Sequence, residues 1–270
     1  MKHFNFKTTD KFIFYCNLFL YKFEILTKVK KGKLDLFLAE LVWVLNGIFK
    51  KRFSLPIKTD TYKTASGTFK VNKDIQSVIT LSPSFERQDR DLLKKLIQSD
   101  LKRKRKVLFV DVGAHIGLYA VELGNAFKRN NNFSTIAFEP NANNFFDKNF
   151  QLLKFNIAAN NIKSIKLYNV GLGSKVTKKP NKFGILTVPL DSLDLNRKAN
   201  KFDSVYMKID IEGYEEDALK GAQAFIDACR KFTLLVEDCV NPKVITYLEK
   251  KFEFVKKITP YNSFWRSPNA

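Results

Sequence analysis

Histidine, cysteine, methionine and tryptophan are scarce in this chain. Its 270 residues include three cysteines and two each of histidine, methionine and tryptophan. The distant Cys16, Cys229 and Cys239 form no metal-binding pattern, and an odd number makes a poor disulfide framework. Only His3 and His115 are available as an imidazole base, which argues against a Ser-His-Asp hydrolase unless His115 is its general base. We therefore expect no metal centre, reduced cysteines and a cytoplasmic location.

Uninterrupted apolar runs are also missing. Segments 12–26 and 34–49 are rich in apolar residues, but charged residues interrupt both. Neither reaches the roughly 20 consecutive apolar residues that a membrane-spanning helix needs, and no signal-peptide cleavage site follows the first. Both are predicted as amphipathic or buried helices, with peripheral contact to a membrane surface as the alternative.

Acidic residues are outnumbered. The chain has 47 Lys and Arg against 27 Asp and Glu, a net charge of +20. Residues 1–106 hold 24 basic and 10 acidic residues, or +14, which leaves 23 minus 17, or +6, for residues 107–270. Such a charge suits a nucleic acid or another polyanion, although codon use in an AT-rich genome also enriches lysine. The basic run 102–106 is either a solvated junction or a binding patch.

The pattern of the chain changes near residue 84. Residues 1–83 are predicted as a basic N-terminal extension of helices and short strands, in which the apolar stretch 71–81 is strand material. In residues 84–270, short apolar runs alternate with amphipathic stretches, and the run FEFVKKIT is expected to add an antiparallel edge strand. The predicted strands are Val107–Val110, Thr135–Phe138, Ile165–Val170, Val205–Ile209 and Thr233–Val236, with helices at about 117–129, 142–154, 215–228 and 242–251. This alternation predicts an α/β, doubly wound, mostly parallel sheet.

A glycine loop follows the first of these strands. Asp111 leads into Gly113, Ala114, His115 and Gly117 in the spacing D-x-G-x-x-x-G. Glycines allow a sharp turn and the close approach of a ligand. The spacing differs from the G-x-G-x-x-G of dinucleotide sites, which disfavours an NAD-dependent oxidoreductase. The loop is better suited to a cofactor without phosphate groups.

An acidic residue ends the second strand. Glu139 comes before Pro140 and Asn141, 22 residues after Gly117. A carboxylate at this position can accept hydrogen bonds from both hydroxyls of a ribose. The alternative is that Glu139 only stabilises the start of the next helix. Together with the glycine loop, Glu139 predicts an adenosine-containing cofactor.

Four segments carry a resemblance to a known family. FVDVGAHIG, AFEPN, VPLDSLD and MKIDIEGYEEDALKGA resemble the FkbM family of S-adenosylmethionine-dependent methyltransferases over roughly residues 85–240. The resemblance implies a Rossmann-like methyltransferase fold, S-adenosyl-L-methionine as cofactor, and methylation, usually of a hydroxyl oxygen on a glycan or small molecule. The expected cofactor-binding residues are Asp111, Gly113, Ala114, His115, Gly117, Glu139, Pro140 and Asn141. His115 stands where members of the family more often have Asn.

The stretch KIDIEG supplies the candidate catalytic residues. If Val205–Ile209 is a central strand, Asp210 lies at its carboxyl end, where open α/β sheets bind ligands, and Glu212 lies in the next turn. An alcohol is a poor nucleophile, and a positioned carboxylate that takes its proton contributes about 10²- to 10⁴-fold. Asp210 and Glu212 are therefore candidate bases, with Glu237 next, and Lys208 is expected to orient the substrate. The alternative is a purely structural Lys208–Glu212 pair.

Three functions follow from this sequence. The preferred one is an O-methyltransferase of glycan or small-molecule hydroxyls. An RNA methyltransferase is the alternative that the net charge favours. A catalytically idle binding module with the same fold is the third, although the intact glycine loop, Glu139 and Asp210 count against it. The acceptor, the pathway and the oligomeric state are left open.

Overall fold

The structure is a computed structural model. It describes residues 36–42, 45, 57, 59–73, 75–141, 149–181, 184–193, 195, 199–241, 243–257 and 259–268. The chain divides into two compact units between Arg87 and Gln88. We keep the predicted domain boundary between residues 83 and 84 as a proposal.

The first unit contains short elements. Residues 36–42 are helical, strands β1 (Thr61–Lys63) and β2 (Thr68–Lys70) form an antiparallel pair, and helix α1 covers Ile75–Ile79. The prediction of strand over 71–81 is therefore wrong. Its β-branched residues favour a strand locally, but packing overrides that propensity, since Val78 is fully buried in the helix.

The two predicted amphipathic segments lie largely outside the described residues. Segment 12–26 lies outside the described residues, and of segment 34–49 only residues 36–42 and 45 are described. None of the described helices is long and apolar enough to cross a membrane.

The second unit is built on a seven-stranded sheet. Its elements in chain order are α2 (Arg87–Lys102), β3 (Val107–Val112), α3 (Leu118–Phe127), β4 (Phe133–Phe138), α4 (Asn149–Ala159), β5 (Ile165–Tyr168), β6 (Gly171–Leu172), β7 (Thr187–Val188), a 3-10 turn (Leu190–Ser192), β8 (Ser204–Ile209), α5 (Glu215–Lys220), α6 (Gln223–Asp227), β9 (Phe232–Glu237), α7 (Lys243–Lys251), β10 (Glu253–Lys257) and β11 (Asn262–Arg266). Strands β6 and β7 form a separate parallel pair.

The strand order establishes the fold class. The sheet runs β10-β11-β9-β8-β3-β4-β5, with β9, β8, β3, β4 and β5 parallel and β11 antiparallel to both neighbours. The chain builds outward from β3 through β4 to β5, and then returns to build β8 and β9 on the other side. The order therefore reverses between β3 and β8, which is where doubly wound sheets bind ligands. The predicted Rossmann-like fold is confirmed.

Both faces of the sheet are buried. Leu108, Val110 and Val112 of β3 join a cluster with α5, α6 and α7, whereas Val107 and Phe109 join a second cluster with α2 and α3. This division follows from the alternation of side chains along a strand. Because helices cover both faces, the parallel strands are apolar almost throughout.

Two details differ from the predicted elements. The single helix predicted at 215–228 is two helices, because the carboxylate of Asp191 accepts the N–H groups of Ala224 and Phe225 and begins a new helix there. The predicted edge strand is present as β10, but it pairs with β11, which the sequence analysis did not identify. Strand β11 lies between β10 and β9, so the last described strand is an interior one.

Candidate active site

The parallel strands end together at one edge of the sheet, which we call the carboxyl edge. Val112 at the end of β3 is paired with Phe138 of β4 and with Ile209 of β8, and Ile209 is paired with Val236 of β9. The residues that follow these strands therefore lie side by side. All the predicted site residues belong to this edge.

The loop from Gly113 to Gly117 has a left-handed backbone at three positions. The φ angles are +75° at Gly113, +52° at His115 and +89° at Gly117. The N–H groups of Gly113 and Ala114 both donate to the Phe138 carbonyl, at 3.0 Å. The loop is thereby fixed to the end of β4 before α3 begins.

Gly113 has a structural reason to lack a side chain. A Cβ atom there would lie 1.9 Å from the carbonyl oxygen of Asp210 and 2.9 Å from Cγ2 of Ile211. The atoms that come close to Gly113 therefore belong to the backbone that follows β8. The sequence interpretation assigned that space to a ligand, and contact of Gly113 with a cofactor stays a prediction.

Glu139 lies under the same loop. Its side chain is 8 % exposed, and its Oε2 atom accepts the N–H of His115 at 2.8 Å. Burial raises the pKa of Glu139 to about 7, although hydrogen bonds from the His115 N–H and the Asn149 side chain oppose the rise. A carboxylate has about four lone-pair positions, so acceptor capacity remains.

The other predicted cofactor residues surround Glu139. Asp111 is 1 % exposed and is paired with Lys208 across β3 and β8. Its charge contributes to the raised pKa of Glu139. Pro140 is half-buried, and the N–H of Asn141 donates to Oδ1 of Asn169 at 2.7 Å.

Lys208 is buried and held on two sides. Its Nζ lies 3.0 Å from Oδ2 of Asp210 and 5.1 Å from the centre of the Tyr119 ring. Burial acts to raise the pKa of Asp210, but the Lys208 ammonium and hydrogen bonds from Lys208 and Glu237 outweigh it, so the pKa falls below its ordinary value. Asp210 is therefore ionised and engaged. The structure does not show the alternative Lys208–Glu212 ion pair.

Three carboxylates meet at the ends of β8 and β9. Asp210, Glu212 and Glu237, which we call the carboxylate triad, have oxygen atoms within 4.8 Å of one another. Burial and the charge of Asp210 raise the pKa of Glu237 to about 8. A pKa of about 8 favours the protonated form of Glu237 at neutral pH. An oxygen-only set of this spacing can also hold a hard cation, and the expected absence of a metal stays a prediction.

Glu212 has a strained backbone. Its φ is +55°, which is rare for a residue other than Gly, Asn or Asp and costs about 1 kcal/mol or more. The Glu212 side chain is exposed, but partial desolvation by its surroundings and the charges of Asp210 and Glu215 raise its pKa.

Glu215 fixes the strained turn, and the sequence analysis did not identify it. This fully buried side chain accepts the N–H of Ile211 at 3.1 Å and of Gly213 at 2.9 Å through Oε1. A signal was present in the sequence, since an acidic residue just after a glycine turn and in the first turn of a helix is suited to accept free N–H groups.

The two halves of the site are in electrostatic contact. The charge of His115 acts on the pKa of Asp210, and the charge of Lys208 acts on the pKa of Glu139. The structure thus brings the glycine loop, Glu139 and the carboxylate triad together in one site.

Comparison with known proteins identifies the family. A family model described as the methyltransferase FkbM domain matches residues 111–255, which is 145 of the 270 residues. The chain belongs to the FkbM methyltransferase family. Its cofactor is S-adenosylmethionine, as predicted.

Solved structures that resemble this FkbM methyltransferase are distant in sequence. An S-adenosylmethionine-dependent methyltransferase from Aquifex aeolicus is 10 % identical, with a TM-score of 0.40 over 64 % of this chain and 88 % of the other. A candidate caffeoyl-CoA O-methyltransferase from Staphylococcus aureus is 11 % identical, with a TM-score of 0.44 over 67 % and 83 %. A candidate RNA methyltransferase from Pyrococcus horikoshii is 12 % identical, with a TM-score of 0.37 over 73 % and 86 %. A search of curated proteins finds no match.

The residues of this FkbM methyltransferase fit the cofactor chemically. Ribose hydroxyls donate hydrogen bonds, and the buried Glu139 carboxylate has acceptor positions left for them. The sulfonium is cationic, and the carboxyl edge holds Asp111, Asp210, Glu212 and Glu237, whereas Lys208 is the one lysine buried there among the residues that the structure describes. An acidic edge is favourable for a cationic group.

Proposed function

We propose that this FkbM methyltransferase methylates a hydroxyl oxygen of a glycan or another small molecule. The observation that carries the proposal is the carboxylate triad beside the glycine loop at the carboxyl edge. A hydroxyl acceptor must lose a proton as its oxygen forms the new bond to carbon, and the triad supplies acceptors for that proton next to the cofactor region.

The cofactor is held by the loop and the end of β4 in this proposal. Glu139 accepts the two ribose hydroxyls, while Asp111, the backbone of Gly113 to Gly117, Pro140 and Asn141 form the walls around the nucleoside. Bound S-adenosylmethionine supplies an electrophilic methyl group on a sulfonium. The protein contributes alignment of the acceptor oxygen with that methyl group, which is the largest source of acceleration in such a transfer.

Glu212 is the general base in this proposal. A base works best when its pKa is close to the working pH, and the pKa of Glu212 is raised. Asp210 is less suitable because Lys208 and Glu237 hold it in the ionised form with a lowered pKa. Glu237 already carries a proton near neutral pH. The strained φ of Glu212, fixed by Glu215, supports the same assignment, because strain concentrates at functional positions.

Lys208 and Asp210 orient the reacting groups. The buried ammonium is held by Asp210 and by the face of Tyr119, so its position is defined before any ligand binds. From there it can donate a hydrogen bond to the acceptor oxygen. In the transfer, that oxygen bonds to the methyl carbon, the bond from carbon to sulfur breaks, and the hydroxyl proton passes to Glu212.

The RNA alternative loses its main argument in this structure. The net charge of +20 favoured it, but the carboxyl edge is acidic, and an acidic cleft repels a phosphate chain. The idle-module alternative is disfavoured by the burial of Glu139 and the strained φ of Glu212. Both features cost folding free energy.

The test uses methyl-labelled S-adenosylmethionine. The purified protein is incubated with the cofactor and, in parallel, with a saccharide extract and with total RNA from the source organism. We expect alkali-stable label in the saccharide fraction, since a methyl ether resists alkaline hydrolysis and a methyl ester does not. Label in RNA alone contradicts the hydroxyl-glycan proposal, and alkali-labile label contradicts O-methylation of a hydroxyl.

A further inference from the structure

The parallel strands begin at the edge opposite the carboxyl edge, which we call the amino edge. The turns before β3, β4, β5, β8 and β9 are residues 103–106, 128–132, 160–164, 200–203 and 228–231. They contain ten basic residues and one acidic residue, Asp203. The basic residues are Arg103, Lys104, Arg105, Lys106, Lys128, Arg129, Lys163, Lys201, Arg230 and Lys231. The excess positive charge of this unit is therefore concentrated at one edge.

Backbone hydrogen bonds join these turns into a row. The Asn132 carbonyl accepts the N–H of Val107, and the Lys106 carbonyl accepts the N–H of Asp203. Further bonds of this kind join the other turns to their neighbouring strands. Five adjacent strands at about 4.8 Å spacing make the row roughly 19 Å long. The positive charges thus form a line across the sheet.

The acids near this row are already engaged. Asp203 accepts the backbone N–H of Lys106 at 2.8 Å and pairs with Arg230 at 3.1 Å. Asp100 is 2 % exposed and pairs with Arg105 at 2.8 Å and with Lys231 at 3.4 Å. These contacts neutralise three of the cations and connect the turns to one another.

Seven exposed cations of these turns remain, and together with Lys102 at the end of α2 they form a set of eight, which we call the amino-edge basic face. Among the residues that the structure describes, no carboxylate lies within salt-bridge distance of any of them. They are Lys102, Arg103, Lys104, Lys106, Lys128, Arg129, Lys163 and Lys201. Like charges held in a row repel one another, and a bound polyanion relieves that repulsion.

A groove in this face adds neutral hydrogen-bonding groups. A cavity of about 600 Å³ lies between the end of α2 and the turn before β4. Its polar lining consists of Gln98, Lys102, Arg129, Asn130, Asn131 and Asn132, and its apolar lining consists of Ala126, the buried Leu101 and the half-buried Phe127. Amide side chains and cations together are the groups that contact phosphate oxygens and sugars in nucleic-acid complexes.

The apolar content of the face distinguishes between polyanions. The large apolar side chains that are exposed in the described part of the chain all lie outside these turns. Insertion into a bilayer needs such side chains, and so does stacking on nucleic-acid bases. A line of cations and amides without them fits a phosphodiester backbone. We propose that the amino-edge basic face binds the sugar–phosphate backbone of a nucleic acid, independently of base sequence.

This surface is separate from the proposed methyl-transfer site. Strand β3 has six residues, which at about 3.3 Å each puts roughly 20 Å between the two edges. A nucleic acid bound at the amino edge therefore leaves the carboxyl edge free for its own acceptor. The inference does not depend on which acceptor is methylated.

The test measures binding of the full-length protein to a fluorescent single-stranded RNA of mixed sequence, by anisotropy at several salt concentrations. Five phosphate contacts make the affinity fall by about a hundredfold between roughly 50 and 200 mM salt. The triple variant Lys102→Gln, Arg103→Gln and Arg129→Gln should reduce the slope of log affinity against log salt by about two and weaken binding at low salt by about tenfold.

A matched variant controls for net charge. Lys175→Gln, Lys178→Gln and Lys179→Gln remove three exposed charges from the loop between β6 and β7, outside the amino-edge turns, and should leave RNA affinity within about twofold. Equal losses in both triple variants would overturn the proposal, as would the absence of RNA binding at low salt. Binding of both triple variants to vesicles rich in phosphatidylserine is measured in the same way. If the amino-edge variant loses vesicle binding and keeps RNA binding, the face is a membrane surface and the proposal is wrong.

Discussion

The two edges of one sheet have opposite chemistry in this molecule. The carboxyl edge collects buried acids, left-handed backbone and the buried Lys208. The amino edge collects exposed cations in regular turns, and its acids are used to hold those turns together. The difference shows that the positive charge of the second unit says little about what its active site accepts, because the basic turns and the cleft are at opposite edges of the sheet.

The edges also differ in what they cost the fold. Buried Glu139 and strained Glu212 lower stability, whereas exposed lysines at the amino edge stay hydrated and cost little. We therefore expect substitutions at the carboxyl edge to have large effects on folding or turnover. Single substitutions at the amino edge should be nearly neutral for both.

The largest effect is expected at Gly113. Gly113→Ala puts a Cβ atom 1.9 Å from the Asp210 carbonyl at a φ of +75°, so the backbone itself must move. We expect a loss of about 3 kcal/mol or more in the free energy of unfolding, measured by urea denaturation.

Gly124→Ala in α3 is the matched control. The atoms nearest to its Cβ would belong to the side chains of Ile162 and Ile165, which can shift, and alanine favours the helix by about 1 kcal/mol. The net change should be close to zero. If Gly113→Ala and Gly124→Ala were equally stable, the backbone that follows β8 could not approach Gly113 as closely as the structure has it.

An effect on turnover is expected at Glu212. Glu212→Gln keeps the shape and removes the basic oxygen, so turnover should fall by about 10²-fold or more while affinity for S-adenosylmethionine, measured by calorimetry, changes far less. Asp203→Asn removes a carboxylate at the amino edge, where it holds two turns together, and should leave turnover unchanged. A larger loss of turnover in Glu237→Gln than in Glu212→Gln would show that Glu237 is the base.

A smaller effect is expected on the pH dependence of cofactor affinity. Ribose hydroxyls donate to the ionised form of Glu139, whose pKa is raised to about 7, so affinity should rise with pH through 7 and then level off. The affinity at pH 6 should be about tenfold weaker than at pH 8. In Glu139→Gln this dependence should disappear, and its persistence would show that another group is responsible.

The same residue gives a stability control with the opposite sign. Because the folded pKa of Glu139 lies above its ordinary 4.5, folding holds the proton, and this contribution is complete below 4.5 and lost as pH rises through about 7. Glu139→Gln should therefore be at least as stable as the wild type at pH 8. Weaker cofactor binding in that variant then reflects the lost carboxylate and not unfolding.

Local patterns were enough to predict the parallel part of the sheet. The apolar runs at β3, β4, β8 and β9 are short and bounded by loops, and strands that follow one another through helices become parallel. The carboxyl ends of parallel strands meet at one edge, so the sequence alone predicts that Asp111, Glu139 and Asp210 lie in one site. The helix at Ile75–Ile79 was missed because packing decided against its β-branched residues.

Features that depend on distant contacts were not predictable. The neighbour of Gly113 is Asp210, 97 residues later, and no local pattern reports that approach. Strand β11 pairs with β9 and β10 by a return of the chain, and its run Asn262–Arg266 has only two apolar residues, Phe264 and Trp265, to indicate a buried strand. The amino-edge row required the strand order, since its cations come from five separate parts of the sequence.

The position of β11 has a consequence for biosynthesis. Strand β10 is synthesised before β11, yet β11 must lie between β10 and β9. Until the chain has been made through Arg266, the edge of β9 presents the unpaired backbone of Leu234 and Leu235, both apolar. An open apolar strand edge pairs readily with other chains. A chain in which β11 has not yet docked therefore presents an aggregation-prone edge, and docking of β11 between β10 and β9 protects the newly made enzyme from association with other chains.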